Sequence, residues 1–403
     1  MTRKPKFSHL VSRALVGLLM GLALSACSIE PPLHTVDPSV DIDPPTIDLD
    51  LEVIWNYLFR YDTEYDWQSE WVYGWDEKDR ELFGPLGYTE PNAFELRRYF
   101  TQDTPYGPHN TPIKHKIEGK TLHTMFDFGY WDLLAWNDIQ TPDGVQSVRI
   151  DESSTYEYVT ASTGNTMNPA RYNAPAYTRS FYQPEELFSC YEQAVSVKRD
   201  LEGFVFDEKR GVWVKKLEME LQPLTYIYLP QLILHHNHRN GRIITAVDGN
   251  SDLSGMARTV NMNTGVTGED AITVYANNRM KQDLLTRTGE EVDVIGGKVM
   301  TFGIPKLNPA KLDTRSGYKD SYTKVQETDR NNRHYLDVTV IFNNGMDSTL
   351  VFDVTQQVRK LFRGGVITVE LDMDTVPVPR RPGGSSFDAV VKDFDEEQWE
   401  FDM

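Results

Sequence analysis

Cysteine is scarce in this chain: its 403 residues include only Cys27 and Cys190. A disulfide framework is therefore excluded, so any exported domain must be stabilised by its hydrophobic cores. Basic residues are also too few to balance the acidic ones, with 41 Lys and Arg against 60 Asp and Glu. The resulting net charge of −19 argues against binding to nucleic acid or to anionic lipid headgroups.

Long apolar runs and common catalytic motifs are missing as well. After the N-terminal region, no segment is apolar over a sufficient length to span a membrane as a helix. The sequence has no Gly-x-Ser-x-Gly elbow, no phosphate-binding loop and no His-Glu-x-x-His motif. We therefore predict that the protein is not an enzyme and has no cofactor and no metal. Hydrophobic residues make up 39% of the chain, which is enough for well-packed cores.

The N-terminus has the features of a secretory signal. Basic residues precede an apolar stretch, residues 14–26, that is too short to cross a bilayer. The stretch closes with Leu24-Ser25-Ala26-Cys27, which resembles the end of a bacterial lipoprotein signal peptide. The resemblance implies that residues 1–26 are removed and that Cys27 carries lipid such as palmitate. Such a lipoprotein would be anchored in the cell outer membrane, facing the surface or the periplasm. The alternative is an ordinary secretory signal with a chance cysteine.

The rest of the chain has the pattern of an all-β protein. A Pro-rich stretch, residues 27–46, is predicted to be an extended tether. From Ile47 to Tyr61 large apolar residues occupy the odd positions, and this period of two predicts strand. Short strand patterns then recur roughly every ten residues, separated by turn residues, as in β-sandwiches. We predict two β-sandwich domains, residues 47–185 and 186–372, and a hinge with a C-terminal strand or tail, residues 373–403.

Two turns and one helix are predicted from local motifs. Asn240-Gly241 predicts a two-residue hairpin between strands over residues 225–235 and 242–247. Asn343-Asn344-Gly345 predicts a tight hairpin between residues 335–342 and 348–352. A short helix is predicted over residues 355–362, ended by Gly364-Gly365.

Histidine and carboxylate clusters suggest three kinds of chemistry, each weakly. His236 and His238 have a spacing on a strand that can bind zinc, but exposed imidazoles at a hairpin tip are the favoured interpretation. The segment from Asp248 to Asp252 has oxygen ligands at alternate positions, yet it lacks the final glutamate of a calcium loop. Asp132 and Asp138 could form a glycosidase pair or simply lie on an outward strand face.

Tryptophan is concentrated between residues 55 and 75, which makes this region the best binding candidate. Trp67, Trp71 and Trp75 could stack on sugar rings or contact a partner. An aromatic stripe at strand spacing is more often a core face or a subunit contact, and we prefer that interpretation. A surface glycan-binding lipoprotein is therefore the alternative function. Cys190, within an apolar stretch, is predicted to be a small core residue.

Three stretches resemble segments of Bacteroidetes fimbrillin-like lipoproteins, a family with fimbrial anchor subunits and many members of unknown function. They are residues 129–137, residues 253–257, and residues 342–348 together with 352–355. The resemblance implies two tandem transthyretin-like, or immunoglobulin-like, β-sandwich domains. It also implies an anchor or accessory subunit of a fimbria-like adhesive assembly, with fimbrial or surface proteins as partners.

Subunits of this type assemble by giving an edge strand to a neighbour, which is β-augmentation. The candidate donor strand lies beyond the Pro/Gly hinge, where Phe387, Ala389 and Val391 alternate with their neighbours. The alternative is that this segment pairs within its own domain.

Overall fold

Regular structure in this computed structural model is almost entirely β-strand. The structure describes residues 47–55, 70–101, 111–139, 146–152, 158–166, 180–198, 200–238, 242–308, 333–377, 379 and 400–401. These ranges contain twenty strands and two short helices, α1 (Glu77–Phe83) and α2 (Thr355–Lys360). No helix within them is long and apolar enough to cross a membrane. The predicted signal peptide, tether and donor strand lie outside the described residues.

The first sheet draws on residues 47–223. Its strands are β1 (Ile47–Trp55), β2 (Ala93–Phe100), β3 (Ile113–Glu118), β4 (Thr121–Met125), β5 (Gly129–Asn137), β8 (Phe188–Val197), β9 (Val205–Asp207) and β10 (Val212–Pro223). Their order is β3-β2-β5-β8-β10-β1-β4, and β9 pairs with β10. All these pairs are antiparallel except β1 with β10, which is parallel.

The second sheet draws on the rest of the chain. Its strands are β11 (Tyr226–His235), β12 (Ala246–Ala257), β14 (Ala271–Leu285), β15 (Glu291–Gly297), β16 (Val299–Thr301), β17 (Tyr335–Phe342), β18 (Asp347–Asp353), β19 (Gly365–Asp372) and β20 (Glu400–Phe401). Their order is β16-β11-β15-β14-β12-β17-β18-β20, with β19 parallel to β11. A small third sheet has the order β13 (Thr259–Asn261), β7 (Thr160–Thr163), β6 (Val148–Asp151).

Apolar clusters cover both faces of the first sheet. Successive residues of a strand point to opposite faces. In β5, Leu133 and Ala135 accordingly lie in one buried cluster, and Leu134 and Trp136 lie in another. The second of these clusters also contains Phe302 from the other half of the chain. The predicted fold class is confirmed: the protein is all-β, with antiparallel sheets in a sandwich-like arrangement.

The change from one sheet to the next does not coincide with the predicted domain boundary at residue 185. Strands β8 and β10 follow that residue but belong to the first sheet, so the change of sheet falls between Pro223 and Tyr226. The division into two domains stays a prediction.

Of the two predicted hairpins, one is confirmed and one is wrong. Strands β17 and β18 pair directly, and their turn contains Gly345 at φ 77 with its N–H bonded to the Phe342 carbonyl at 2.9 Å. Strands β11 and β12 are not neighbours, because β11 pairs with β15, β16 and β19 while β12 pairs with β14 and β17. Long-range pairing thus sets the partners of both strands, and Asn240-Gly241 itself lies outside the described residues. The predicted helix is confirmed as α2.

Candidate functional site

Strand β1, which follows the predicted tether, is an internal strand of the first sheet. Its whole length, Ile47 to Trp55, is in parallel register with Trp213 to Leu221 of β10. On its other side, Asp48 to Glu52 is in antiparallel register with β4. The first strand in the described part of the chain is therefore held by backbone ladders on both sides.

Strand β18 lies near one edge of the second sheet. All of its residues, Asp347 to Asp353, pair with β17. On the opposite side, within the described part of the chain, only Val351 and Phe352 have a strand partner, namely β20. The first half of β18 thus has a backbone edge to which a further strand could add.

An aromatic segment, residues 70–88, connects the two halves of the protein. It packs on one face of the second sheet, where Trp71 and Tyr73 contact a buried cluster with Ile227, Leu229 and Ile233 of β11. Tyr228 and Leu232, which alternate with them in β11, belong to the core on the opposite face. Gln231 of β11 fixes the segment further: its side-chain oxygen accepts from the Tyr73 N–H at 3.1 Å, and its side-chain nitrogen donates to the Glu70 carbonyl at 2.7 Å.

The same segment is tied down by a charged network around Asp79. This carboxylate is fully buried in α1 and accepts from the Tyr73 hydroxyl at 2.6 Å. Arg279 Nη1 lies 2.8 Å from one Asp79 oxygen, and Lys281 Nζ lies 2.6 Å from the other. Asp76, the N-cap of α1, also binds both cations, which holds its pKa well below the usual range, Arg279 having the largest effect. Burial and Asp79 raise the pKa of Tyr73 far above its ordinary value.

This network was not predicted, although a local signal for part of it exists. Asp76 and Asp79 form a reciprocal capping box at the start of α1, a pattern that can be recognised from an acidic residue three positions after an N-cap. The cations come from β14, about 200 residues later in the sequence, and no local pattern connects them to α1.

The predicted aromatic contact residues are only partly accessible. Trp71 is 8% exposed and belongs to the buried cluster, as the preferred core interpretation requires. Trp75 is half-buried and stacks on Trp71, with ring centroids 6.0 Å apart, and it also contacts Phe83. Trp67 lies outside the described residues. A sugar platform made of the three side chains together would therefore lack the face of Trp71.

The two acidic alternatives do not have the geometry their chemistry requires. Asp132 is buried in β5 and accepts from the Ala194 N–H at 2.7 Å, whereas Asp138, after the strand, pairs with Lys116. A strand rise of about 3.3 Å per residue puts the two carboxylates roughly 20 Å apart, too far for a glycosidase pair. Asp248 and Asp252 lie along the extended strand β12 rather than in a loop, so they do not surround a common calcium position.

Cys190 and the histidine cluster also have defined environments. Cys190 is buried, and burial together with Glu192 raises the pKa of its thiol to about 12, which keeps it protonated and unreactive. His235, at the end of β11, contacts Glu290 and Glu370. His236 contacts Asp372 and Asp374, and His238 contacts Asp293. The predicted hairpin tip is in fact a cluster of His–carboxylate pairs.

Comparison with known proteins finds likeness in structure and none in sequence. No family model matches the chain, and no curated protein matches its sequence. The structural neighbours include candidate adhesins of Bacteroides, a candidate polysaccharide-binding protein and fimbrial proteins of Porphyromonas gingivalis.

Three of these neighbours illustrate the level of similarity. A candidate adhesin from Bacteroides ovatus is 14% identical, with a TM-score of 0.47, over 84% of this chain and 95% of its own. A candidate adhesin from Bacteroides thetaiotaomicron is 11% identical, with a TM-score of 0.43, over 83% and 94%. The fimbrial anchor protein Mfa2 from Porphyromonas gingivalis is 11% identical, with a TM-score of 0.40, over 80% and 90%. At such values the likeness by itself decides nothing about activity or partners.

Proposed function

We propose that this protein is a lipoprotein of the cell outer membrane, attached through lipid at Cys27, and that it is an anchor or accessory subunit of a fimbria-like adhesive assembly. The observation that carries the proposal is the position of β1. The first strand that the structure describes after the predicted attachment residue is inserted between β10 and β4, and it pairs with β10 along its whole length and with β4 over Asp48 to Glu52.

This position suits a protein that transmits force. Ladder hydrogen bonds lie across a strand, so a pull on its N-terminus along the strand axis loads many of them at once. The parallel register with β10 includes all residues from Ile47 to Trp55. An edge strand, which is paired on one side only, would resist the same pull with one ladder of hydrogen bonds instead of two.

The aromatic segment supports the same role by joining the two halves. Trp71 and Tyr73 pack on strands of the second sheet, and the ion pairs of Asp79 with Arg279 and Lys281 add charged contacts to the apolar ones. Because the segment leads into β2 of the first sheet, force that enters through β1 can thereby pass from the first sheet to the second. The partner would be another surface or fimbrial subunit, bound by strand addition at an edge such as β18. Phe387, Ala389 and Val391 remain the candidate donor strand.

The test compares Cys27→Ser with Cys190→Ser in the native host. We expect labelled palmitate on the wild type and on Cys190→Ser, and loss of both label and membrane association for Cys27→Ser. Wild-type protein purified from membranes should carry a co-purifying surface polymer, which Cys27→Ser should shed into the medium. Recovery of the wild type as a lipid-free monomer, together with unchanged fimbriae after deletion of its gene, would refute the proposal.

A glycan array separates this function from glycan binding. A structural subunit is expected to show no binding to the glycans on the array. Saturable binding that is lost in Trp75→Ala would favour the glycan-binding lipoprotein instead, because Trp75 keeps part of its ring surface accessible.

A further inference from the structure

Two parallel strands of the second sheet end side by side and bring three potential metal ligands together. In the parallel register of β11 with β19, His235 is opposite Asp372. His236 directly follows β11, Asp372 is the last residue of β19, and Asp374 lies in the turn beyond it. Carboxyl ends of parallel strands meet at the same edge of a sheet. The juxtaposition therefore follows from the pairing of strands more than 130 residues apart in sequence.

The ligand atoms have distances suited to one small ion. His236 Nδ1 lies 2.9 Å from Asp372 Oδ1 and 3.7 Å from Asp374 Oδ2. All three ligand atoms lie within 4.8 Å of one another. Ligands that bind zinc at 2.0–2.2 Å with tetrahedral angles are about 3.4 Å apart. Small side-chain adjustments would thus convert the hydrogen-bonded arrangement into a coordinated one.

The backbone around the three ligands is fixed by the fold. Met373, between the two aspartates, is fully buried, and its N–H donates to the His235 carbonyl at 3.0 Å. The side chain of Arg242 donates to the Met373 carbonyl. Because Met373 points inward, the residues on either side of it, Asp372 and Asp374, both point outward. His236 has φ 60, a left-handed conformation that turns the chain at the end of β11.

We propose that His236, Asp372 and Asp374 form a zinc-binding site. One imidazole with two carboxylates is a donor set for zinc, whereas calcium and magnesium prefer oxygen ligands alone. The side chains of the three residues are 33%, 45% and 42% exposed, which leaves room for water or a partner group as a fourth ligand. His238 is not within reach of these three ligand atoms and contacts Asp293 instead. The expectation of no metal rested on the lack of a third ligand close in sequence, whereas Asp372 and Asp374 come from the end of a strand and the turn beyond it, more than 130 residues away.

Calorimetric titration with zinc chloride tests the site in protein first stripped with a chelator. We expect saturable binding of one zinc ion per chain and a rise in the thermal unfolding midpoint, because zinc binds only the folded arrangement. Calcium and magnesium chlorides should give neither effect. His236→Asn and Asp374→Asn should abolish the binding. Asparagine tolerates the left-handed conformation of His236, and Asp374 is an exposed turn residue, so both variants should fold. His238→Asn is the matched control and should bind zinc like the wild type.

Three results would overturn the proposal. One is the absence of saturable zinc binding by the wild type. Another is unchanged binding in both His236→Asn and Asp374→Asn when circular dichroism shows that they are folded. The third is loss of binding in His238→Asn but not in Asp374→Asn, which would assign the metal to the histidine pair alone.

Discussion

Replacing Asp79 with Asn should lower the free energy of unfolding by about 3–5 kcal/mol, the usual cost of removing one partner from a buried ion pair. The carboxylate is fully buried and bonds to Tyr73, Arg279 and Lys281. An Asn side chain keeps one acceptor oxygen but turns an amide donor toward one of these donors. Lys281 is 9% exposed, so its ammonium group has little access to water as a substitute partner.

Asp76→Asn is the matched control for this prediction. Asp76 contacts the same two cations, but its side chain is 45% exposed, and Asn is as good an N-cap as Asp. The expected loss is therefore below about 1 kcal/mol. Urea unfolding monitored by tryptophan fluorescence measures both variants, since Trp71 and Trp75 lie in the segment that the network holds.

Equal losses for the two variants would refute this reasoning. They would mean that burial does not make the Asp79 interactions stronger than the exposed ones of Asp76. A small loss for both would also show that apolar packing alone keeps the aromatic segment on the second sheet.

Three further predictions concern the core, a turn and pH. Trp71→Ala should lower the free energy of unfolding by about 3–5 kcal/mol in urea titration, as expected for a buried aromatic residue. The same substitution at an exposed sugar-binding position would change it little. Gly345→Ala should cost about 1–2 kcal/mol in the same assay, because φ is 77 in the hairpin turn. Burial, with a smaller effect of Arg359, lowers the pKa of His334 to about 3. The His334 imidazole therefore becomes protonated near pH 6.5 in the unfolded chain but stays neutral at that pH in the folded chain. Stability should fall by about 1.4 kcal/mol per pH unit below pH 6.5, and His334→Gln should lose this slope between pH 6.5 and 5. An unchanged slope would contradict the assignment.

Sequence patterns predicted the strands well where local signals suffice. The alternation from Ile47, the Asn343-Asn344-Gly345 turn and the helix ended by Gly364-Gly365 all correspond to observed elements. The Asn240-Gly241 hairpin failed because a turn motif specifies the turn but not whether the flanking strands are neighbours. In this protein the strands that pair with β11 are β15, β16 and β19, all of which come later in the sequence than β12.

The candidate functional residues also fall into those that a short stretch of sequence indicates and those that depend on distant strands. The lipoprotein resemblance at Cys27 and the concentration of tryptophan are properties of short stretches, so the sequence alone indicated them. The sequence favoured burial of Trp71 only as the commoner outcome for an aromatic stripe, and it could not show what buries the ring, because that environment is formed by β11 and other strands more than 150 residues away.

The sequence by itself determined the all-β class, the β17–β18 turn and the chemistry available in each segment, because side-chain period and turn residues act over a few positions. Only the tertiary structure decided which segments meet. It inserted β1 between β10 and β4, and it placed Asp79 against Arg279 and Lys281. It also brought His236 to Asp372 and Asp374. Each of these contacts depends on pairing between distant strands, and the free energy of such pairing is spread over whole sheets rather than encoded in any one motif.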